Sequence, residues 1–149
     1  MNRNLVAFLF LLLSISLQSN AQQNDPKMLV QNIRIDVYTR VLQLTPDEAK
    51  KFWPVFDEME AKLKIIQKAS HIERTNISDN YDKLTDDQMS RSLDNLLDLE
   101  QQALDLKKKY YQKFKKILPI KKVVLIPKAD REFQAQLLKY YQGIKDSEE

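Results

Sequence analysis

Apolar side chains recur along this chain at steps of three and four residues, the spacing that places them on one face of an α-helix. Four segments after residue 25 show this pattern, and prolines or clusters of turn-forming residues separate them. Residues 123–126 also suit a β-strand by composition, but no second segment offers a strand to pair with them. The pattern therefore predicts an all-α protein of about four helices.

Two of the predicted helix starts carry the same motif, in which a leucine and a threonine are followed by Glu or Gln. In a capping box the threonine hydroxyl accepts a hydrogen bond from the third helical amide, and the Glu or Gln side chain accepts one from the threonine amide. The motifs predict helices that begin near residues 46 and 86. They consist of Leu44, Thr45 and Glu48, and of Leu84, Thr85 and Gln88.

The third predicted helix, residues 85–118, contains neither glycine nor proline and ends before Pro119. At 1.5 Å per residue it would be roughly 50 Å long. Such a helix predicts an elongated, hairpin-like bundle or a dimer, because one small globule does not cover it. A cluster of turn-forming residues within residues 70–84 predicts a flexible connection before the third helix. A fourth helix follows, with a bend expected at Pro127.

The third helix carries more apolar residues than one narrow stripe needs. We expect its main stripe to form core, with Leu99 and Leu106 on the flank of that stripe and lysines continuing the flank. The simpler interpretation is a wide core stripe; the alternative is an exposed apolar and basic surface for a polypeptide or a second subunit. The candidate residues of that surface are Leu99, Leu106, Lys109, Lys113 and Lys116. The main stripe consists of Met89, Leu93, Leu96, Leu97, Ala103, Leu104, Tyr110, Tyr111, Phe114, Ile117 and Leu118.

The first 21 residues have the pattern of a secretory signal: Arg3, a short apolar run, and small residues before a cleavage position after Ala21. The apolar run is shorter than the roughly 20 residues of a membrane span. We therefore expect no stable membrane insertion after cleavage. The prediction is a single helical domain over residues 22–149 that is secreted and acts outside the cytoplasm.

Composition excludes several kinds of site. One glycine is too few for a phosphate-binding or dinucleotide-binding loop, and the lack of cysteine excludes thiolate metal sites and cysteine nucleophiles. Neighbouring acids such as Asp86 and Asp87 do not face each other on a helix. We therefore expect no enzyme activity and no cofactor. Aromatic residues among the lysines fall at helical spacing, and secretion argues against a nucleic-acid partner.

The formal net charge is only +3, but the charge is unevenly distributed along the third helix. Acids dominate from Asp86 to Asp105, whereas residues 107–122 contain lysines and no acid. Complementarity to the helix dipole explains this pattern in the simplest way. Two alternatives are an antiparallel pairing of two copies, in which acidic halves face basic halves, and a basic surface that attracts acidic or unfolded polypeptides.

The two leucine-threonine motifs resemble the LTxxQ motif of the Spy/CpxP-like periplasmic proteins. The stretch from Leu44 to Phe56, with Phe52-Trp53-Pro54, is similar to a branch labelled as a sensor of an extracytoplasmic-function sigma factor or as a periplasmic heavy-metal sensor. The resemblance implies an all-helical, cradle-like dimer that binds unfolded proteins or takes part in envelope-stress signalling. It also implies a location in the periplasm of a Gram-negative bacterium. Metal-responsive members use His or Cys segments, and this chain offers only His71, so we expect no metal site.

Together these patterns give two functional hypotheses. The first is a periplasmic, ATP-independent chaperone-like protein that holds unfolded polypeptides during envelope stress. The second is an accessory that signals envelope stress to a membrane anti-sigma factor or sensor protein. Suppression of aggregation by the purified protein alone favours the first hypothesis.

Overall fold

The computed structural model describes residues 25–148, and within them the fold is all-α, as predicted. The predicted signal segment lies outside the described residues. No helix in the described range is long and apolar enough to span a membrane. The helices are α1 (Pro26–Leu42), α2 (Pro46–Asp79), α3 (Asp86–Ile117), the one-turn α4 (Ile120–Val123) and α5 (Ile126–Glu148), with a 3-10 turn at Tyr81–Lys83.

These residues form two compact units, one made by the chain up to Val41 and from Pro127 onward, and one made by Leu42–Ile126. In the first unit, the Tyr38 hydroxyl donates a hydrogen bond to the Asp130 carboxylate. Arg40 forms an ion pair of 2.7 Å with Glu132 on α5. Arg34 on α1 lies over the Phe133 ring. Polar and cation–π contacts between α1 and α5 therefore support this small unit.

Helices α2 and α3 both begin with a complete capping box. The Thr45 amide donates to Glu48 Oε2 at 2.9 Å, and the Glu48 amide donates to Thr45 Oγ1 at 3.3 Å. The same two bonds join Thr85 and Gln88, also at 2.9 and 3.3 Å. Each box satisfies amides that the first helical turn leaves without partners.

Helix α2 runs to Asp79, so the prediction of a loop that begins near residue 70 is wrong. The turn formers Thr75, Asn76 and Ser78 are exposed on this helix, while Ile77 between them is half-buried. Helix formation costs little at exposed polar positions when an apolar neighbour packs. The connection to α3 is only the segment from Asn80 to Thr85.

Helices α2 and α3 pack along each other as an antiparallel hairpin. Arg74 contacts Glu100 near the connection, and Phe52 contacts Phe114 at the opposite end. Buried and half-buried residues on α3 follow alternating steps of three and four, the spacing of a heptad seam. This seam consists of Met89, Ser92, Leu96, Leu99, Ala103, Leu106, Tyr110, Lys113 and Ile117.

The predicted main stripe of α3 is partly wrong. Leu93, Leu97 and Leu104 were expected in the core, but they are exposed on the surface of the helix. Ser92 takes a buried place on the seam instead. The leucines of α3 occupy two faces of one helix, and a list of steps of three or four does not separate those faces.

Helix α3 ends at Ile117, before Pro119, as its sequence predicts. The expected fourth helix is divided into α4 and α5 at Val124–Leu125, so the break precedes Pro127. Pro127 is in the first turn of α5, where its missing amide costs no helical hydrogen bond. Leu118, Val123 and Ile126 are buried and hold this part of the chain to its unit.

Candidate polypeptide-binding surface

Three leucines of α3 form an exposed apolar strip, which we call the leucine strip. The exposed fractions of Leu93, Leu97 and Leu104 are 56%, 55% and 47%. At 100° per residue the three side chains project within about 40° of one another. The strip therefore places three exposed apolar side chains on one side of α3 over about three helical turns, with the exposed Glu100 between Leu97 and Leu104.

The leucine strip leads into the lysine-rich end of α3. Lys107 and Lys108 follow Leu104 on the same side of the helix, and Tyr111 continues that side as a half-buried residue. Lys108 forms an exposed ion pair of 3.2 Å with Asp105. The result is an apolar face with positive charge at one end, a combination that suits unfolded chains containing apolar and acidic residues.

The five surface residues predicted from the sequence do not form one surface. Leu99 and Leu106 are half-buried on the seam with α2 rather than exposed on its flank. Lys113 is half-buried and bonded to Glu58, whereas Lys109 and Lys116 are exposed. The apolar and basic character of the predicted surface is present on α3, but the leucine strip carries its apolar part.

Leu99 does line an open groove between α2 and α3, with a volume of about 330 Å³. Ile66 and Ala103 supply the apolar wall, and the Arg74–Glu100 ion pair of 3.0 Å lies at its edge. His71 is exposed beside this groove. Within residues 25–148 no group of three or more His, Asp and Glu side chains is placed to hold a metal ion.

A charged cluster joins α2 and α3 in the part of the hairpin that lies away from the connection between them. Lys62 Nζ donates to Glu58 Oε1 at 2.7 Å and to the Tyr110 hydroxyl at 2.9 Å. Lys113 Nζ donates to Glu58 Oε2 at 2.9 Å and lies 4.3 Å from the centroid of the Tyr110 ring. The buried tyrosine is thus surrounded by two ammonium groups and one carboxylate.

The hydrogen bonds of this cluster shift its pKa values. The bond from Lys62, followed by the bond from Lys113, lowers the pKa of Glu58 to about 2. The bond to Glu58 raises the pKa of Lys62, with a smaller contribution from the Tyr110 hydroxyl. Glu58 therefore stays ionised, and Lys62 stays protonated, across the whole neutral range.

A second polar contact fixes the start of α2 to α4. Lys122 Nζ donates to the Gln43 carbonyl and to Glu48 Oε2, each at 2.6 Å. Gln43 has a φ of 51°, a left-handed conformation that a non-glycine residue seldom adopts. The bond from Lys122 lowers the pKa of Glu48, as does the Thr45 amide to a lesser degree. Glu48 thus serves the capping box and the contact with α4 together.

Sequence reasoning missed the leucine strip because it assigned those leucines to the core. The signal was present: counting back from Tyr110 by alternating fours and threes reaches Leu106, Ala103 and Leu99. That register leaves Leu93, Leu97 and Leu104 outside the seam. Comparison with protein-family models, with curated proteins and with solved structures finds no match to this chain.

Proposed function

We propose that this protein holds unfolded polypeptides on α3 without ATP and without catalysis. The observation that carries the proposal is the leucine strip, whose three side chains are each about half exposed. Apolar side chains that stay in water and lie in line on one helix face are typical of an interaction surface. A helical face of this kind binds many sequences because it requires contact with apolar groups rather than a fixed pattern of hydrogen bonds.

Charge extends the proposal to the kind of polypeptide that is bound. The lysines that follow the leucine strip raise the local concentration of acidic segments by long-range attraction. In this proposal the protein acts outside the cytoplasm, after loss of its first 21 residues, as a homodimer in which the acidic part of one α3 faces the basic part of another. The polarity of charge along α3 supports that arrangement.

The test is suppression of aggregation by the purified mature protein, with a chemically denatured client and no nucleotide. We expect the wild-type protein to keep the client in solution. The variant Leu93→Ser/Leu97→Ser/Leu104→Ser should lose most of that effect. The matched control is Ile65→Ser/Ile72→Ser, which changes two exposed apolar residues of α2 with exposed fractions of 70% and 58%. This control should retain most of the effect, because its two side chains form a shorter apolar face.

Circular dichroism and urea unfolding separate loss of binding from loss of fold. All five substituted positions are exposed, so both variants should unfold close to the wild type. A folded wild-type protein that leaves aggregation unchanged would contradict holding, and would favour the role of an accessory that signals to a membrane stress regulator. Equal loss in both variants would show that general surface hydrophobicity, and not the leucine strip, is responsible.

A further inference from the structure

Residues 115–124, where α3 ends and α4 follows, contain a group of exposed apolar and basic residues that lies outside the leucine strip. Ile120 and Val124 are exposed, with exposed fractions of 55% and 62%. The Val124 amide donates to the Ile120 carbonyl at 3.0 Å, so the two side chains lie one helical turn apart. Lys115, Lys116 and Lys121 are exposed within the same ten residues. We call these five residues the lysine corner.

The packing of the chain fixes the lysine corner with its apolar side chains outward. Leu118 and Val123 are buried with exposed fractions of 4% and 1%, so they occupy the inward positions of this segment. Lys122 is bonded to Gln43 and Glu48 and holds α4 in place. Ile120 and Val124 therefore have no inward alternative while the unit is folded.

The charged side chains of residues 115–124 are all lysines, and of these Lys122 is paired with Glu48 of α2. The sequence contains no acid between Asp105 and Asp130, and Lys121 lies on the side of α4 next to Ile120 and Val124. None of Lys115, Lys116 and Lys121 forms an ion pair with the described residues. Three ammonium groups without an ion-pair partner lie beside two exposed aliphatic side chains. They match a surface that has negatively charged groups on the outside and apolar groups directly below them.

We propose that the lysine corner adsorbs the protein to a bilayer that contains anionic phospholipid. Ile120 and Val124 enter the boundary between headgroups and acyl chains, and the three lysines contact lipid phosphates. Two aliphatic side chains one turn apart are too short a face for an extended polypeptide, but they suffice for shallow insertion when charge adds to them. This adsorption is peripheral and separate from the leucine strip.

Co-sedimentation of the purified mature protein with vesicles tests the proposal. The probes are phosphatidylcholine vesicles that contain phosphatidylglycerol, and vesicles of phosphatidylcholine alone, at low and high salt. We expect binding to the anionic vesicles only, weakened by salt because screening shortens the reach of the charges. The variant Lys115→Gln/Lys116→Gln/Lys121→Gln should bind about a hundredfold more weakly, at about fivefold per lysine.

Matched variants make the result specific. Lys50→Gln/Lys64→Gln/Lys68→Gln removes the same charge from exposed lysines of α2 and should bind vesicles nearly as the wild type does. Ile120→Ser/Val124→Ser should weaken binding at least about tenfold, whereas Ile65→Ser/Ile72→Ser should not. The Leu93→Ser/Leu97→Ser/Leu104→Ser variant should still bind vesicles, so failure of polypeptide holding and failure of adsorption are distinguishable.

Four outcomes would overturn the proposal. They are no binding to anionic vesicles by the folded protein, equal binding to both kinds of vesicle, equal weakening by the two lysine variants, and retention of a short DNA duplex or an acidic polypeptide with none by vesicles. Circular dichroism of each variant confirms that it is folded before its binding is compared.

Discussion

The hairpin of α2 and α3 has two halves that differ in how they are packed. The aromatic half, residues 46–63 and 106–118, contains buried aromatic rings such as Phe52 and Phe114, whose centroids are 5.2 Å apart. The distal half, residues 64–79 and 86–105, contains one buried residue, Ser92. One helix pair therefore combines a dense core with a segment in which no apolar side chain is fully buried.

This difference indicates how stability and the proposed binding would be divided between the two halves. Rings in the aromatic half contribute both burial and ring–ring contacts, so this half can hold the register of the whole hairpin. The distal half contributes less to stability and keeps the leucine strip accessible. Binding surfaces are commonly drawn from the less stable part of a structure, because they must remain exposed until a partner arrives.

The largest expected effect comes from removing an aromatic ring. Phe114→Ala should lower the free energy of unfolding by about 3–5 kcal/mol, because Phe114 is fully buried and leaves a cavity. Leu97→Ala in the distal half should change it by less than about 0.5 kcal/mol. Urea unfolding measures both values. Similar losses at the two positions would contradict the division of the hairpin into a packed and an open half.

The two capping boxes allow a finer comparison. Thr45→Ala and Thr85→Ala should each cost about 1 kcal/mol, since each removes the acceptor for one helical amide. Glu48→Gln gives the first box the chemistry of the second, but it also removes the charge that Lys122 contacts. We expect Glu48→Gln to lower the melting temperature more at low salt than at high salt. A loss that is unaffected by salt would show that the charge on Glu48 contributes nothing.

The Glu58 cluster, which lies in the aromatic half, predicts that the protein loses stability in acid. Because the pKa of Glu58 falls from 4.5 to about 2 on folding, its contribution is complete above pH 4.5 and is lost as the pH falls towards 2. Glu58→Gln should remove this part of the pH dependence of the melting temperature. An unchanged slope between pH 5 and 2 in the variant would contradict the role of the cluster.

The smallest expected effect concerns the association of two copies of the protein. If the acidic part of one α3 faces the basic part of another, the homodimer should weaken as salt is added. Sedimentation velocity at low and high salt measures this. A monomer under both conditions would refute the dimer and leave the charge polarity of α3 to the helix dipole.

The sequence predicted the starts of α2 and α3 and the end of α3, because the chemistry of these boundaries is local. Thr45 with Glu48, Thr85 with Gln88, and Pro119 act within one turn of the boundary that they define. The end of α2 was not predicted, since the polar residues after Ser70 suit either a turn or an exposed helix face. The half-buried Ile77 favours the helix, and its packing depends on α3.

The sequence predicted the chemical character of the candidate surface but not the residues that form it. The sequence indicates an apolar and basic face on α3, yet which leucines are exposed depends on the register against α2. Ser92 on the seam and Leu93 outside it reverse the usual expectation for a polar and an apolar residue. Lys113 was expected on the surface, and its bond to Glu58 on α2 links residues that are far apart in sequence.

Photocrosslinking to an unfolded client tests the central claim most directly. A photoreactive side chain would replace Leu97 on the leucine strip or, in a second protein, Ile65 on α2, which is the more exposed of the two residues. The account predicts that the client crosslinks strongly to position 97 and weakly to position 65. Equal crosslinking, or stronger crosslinking at position 65, would contradict the claim that the leucine strip of α3 is the surface that holds the client.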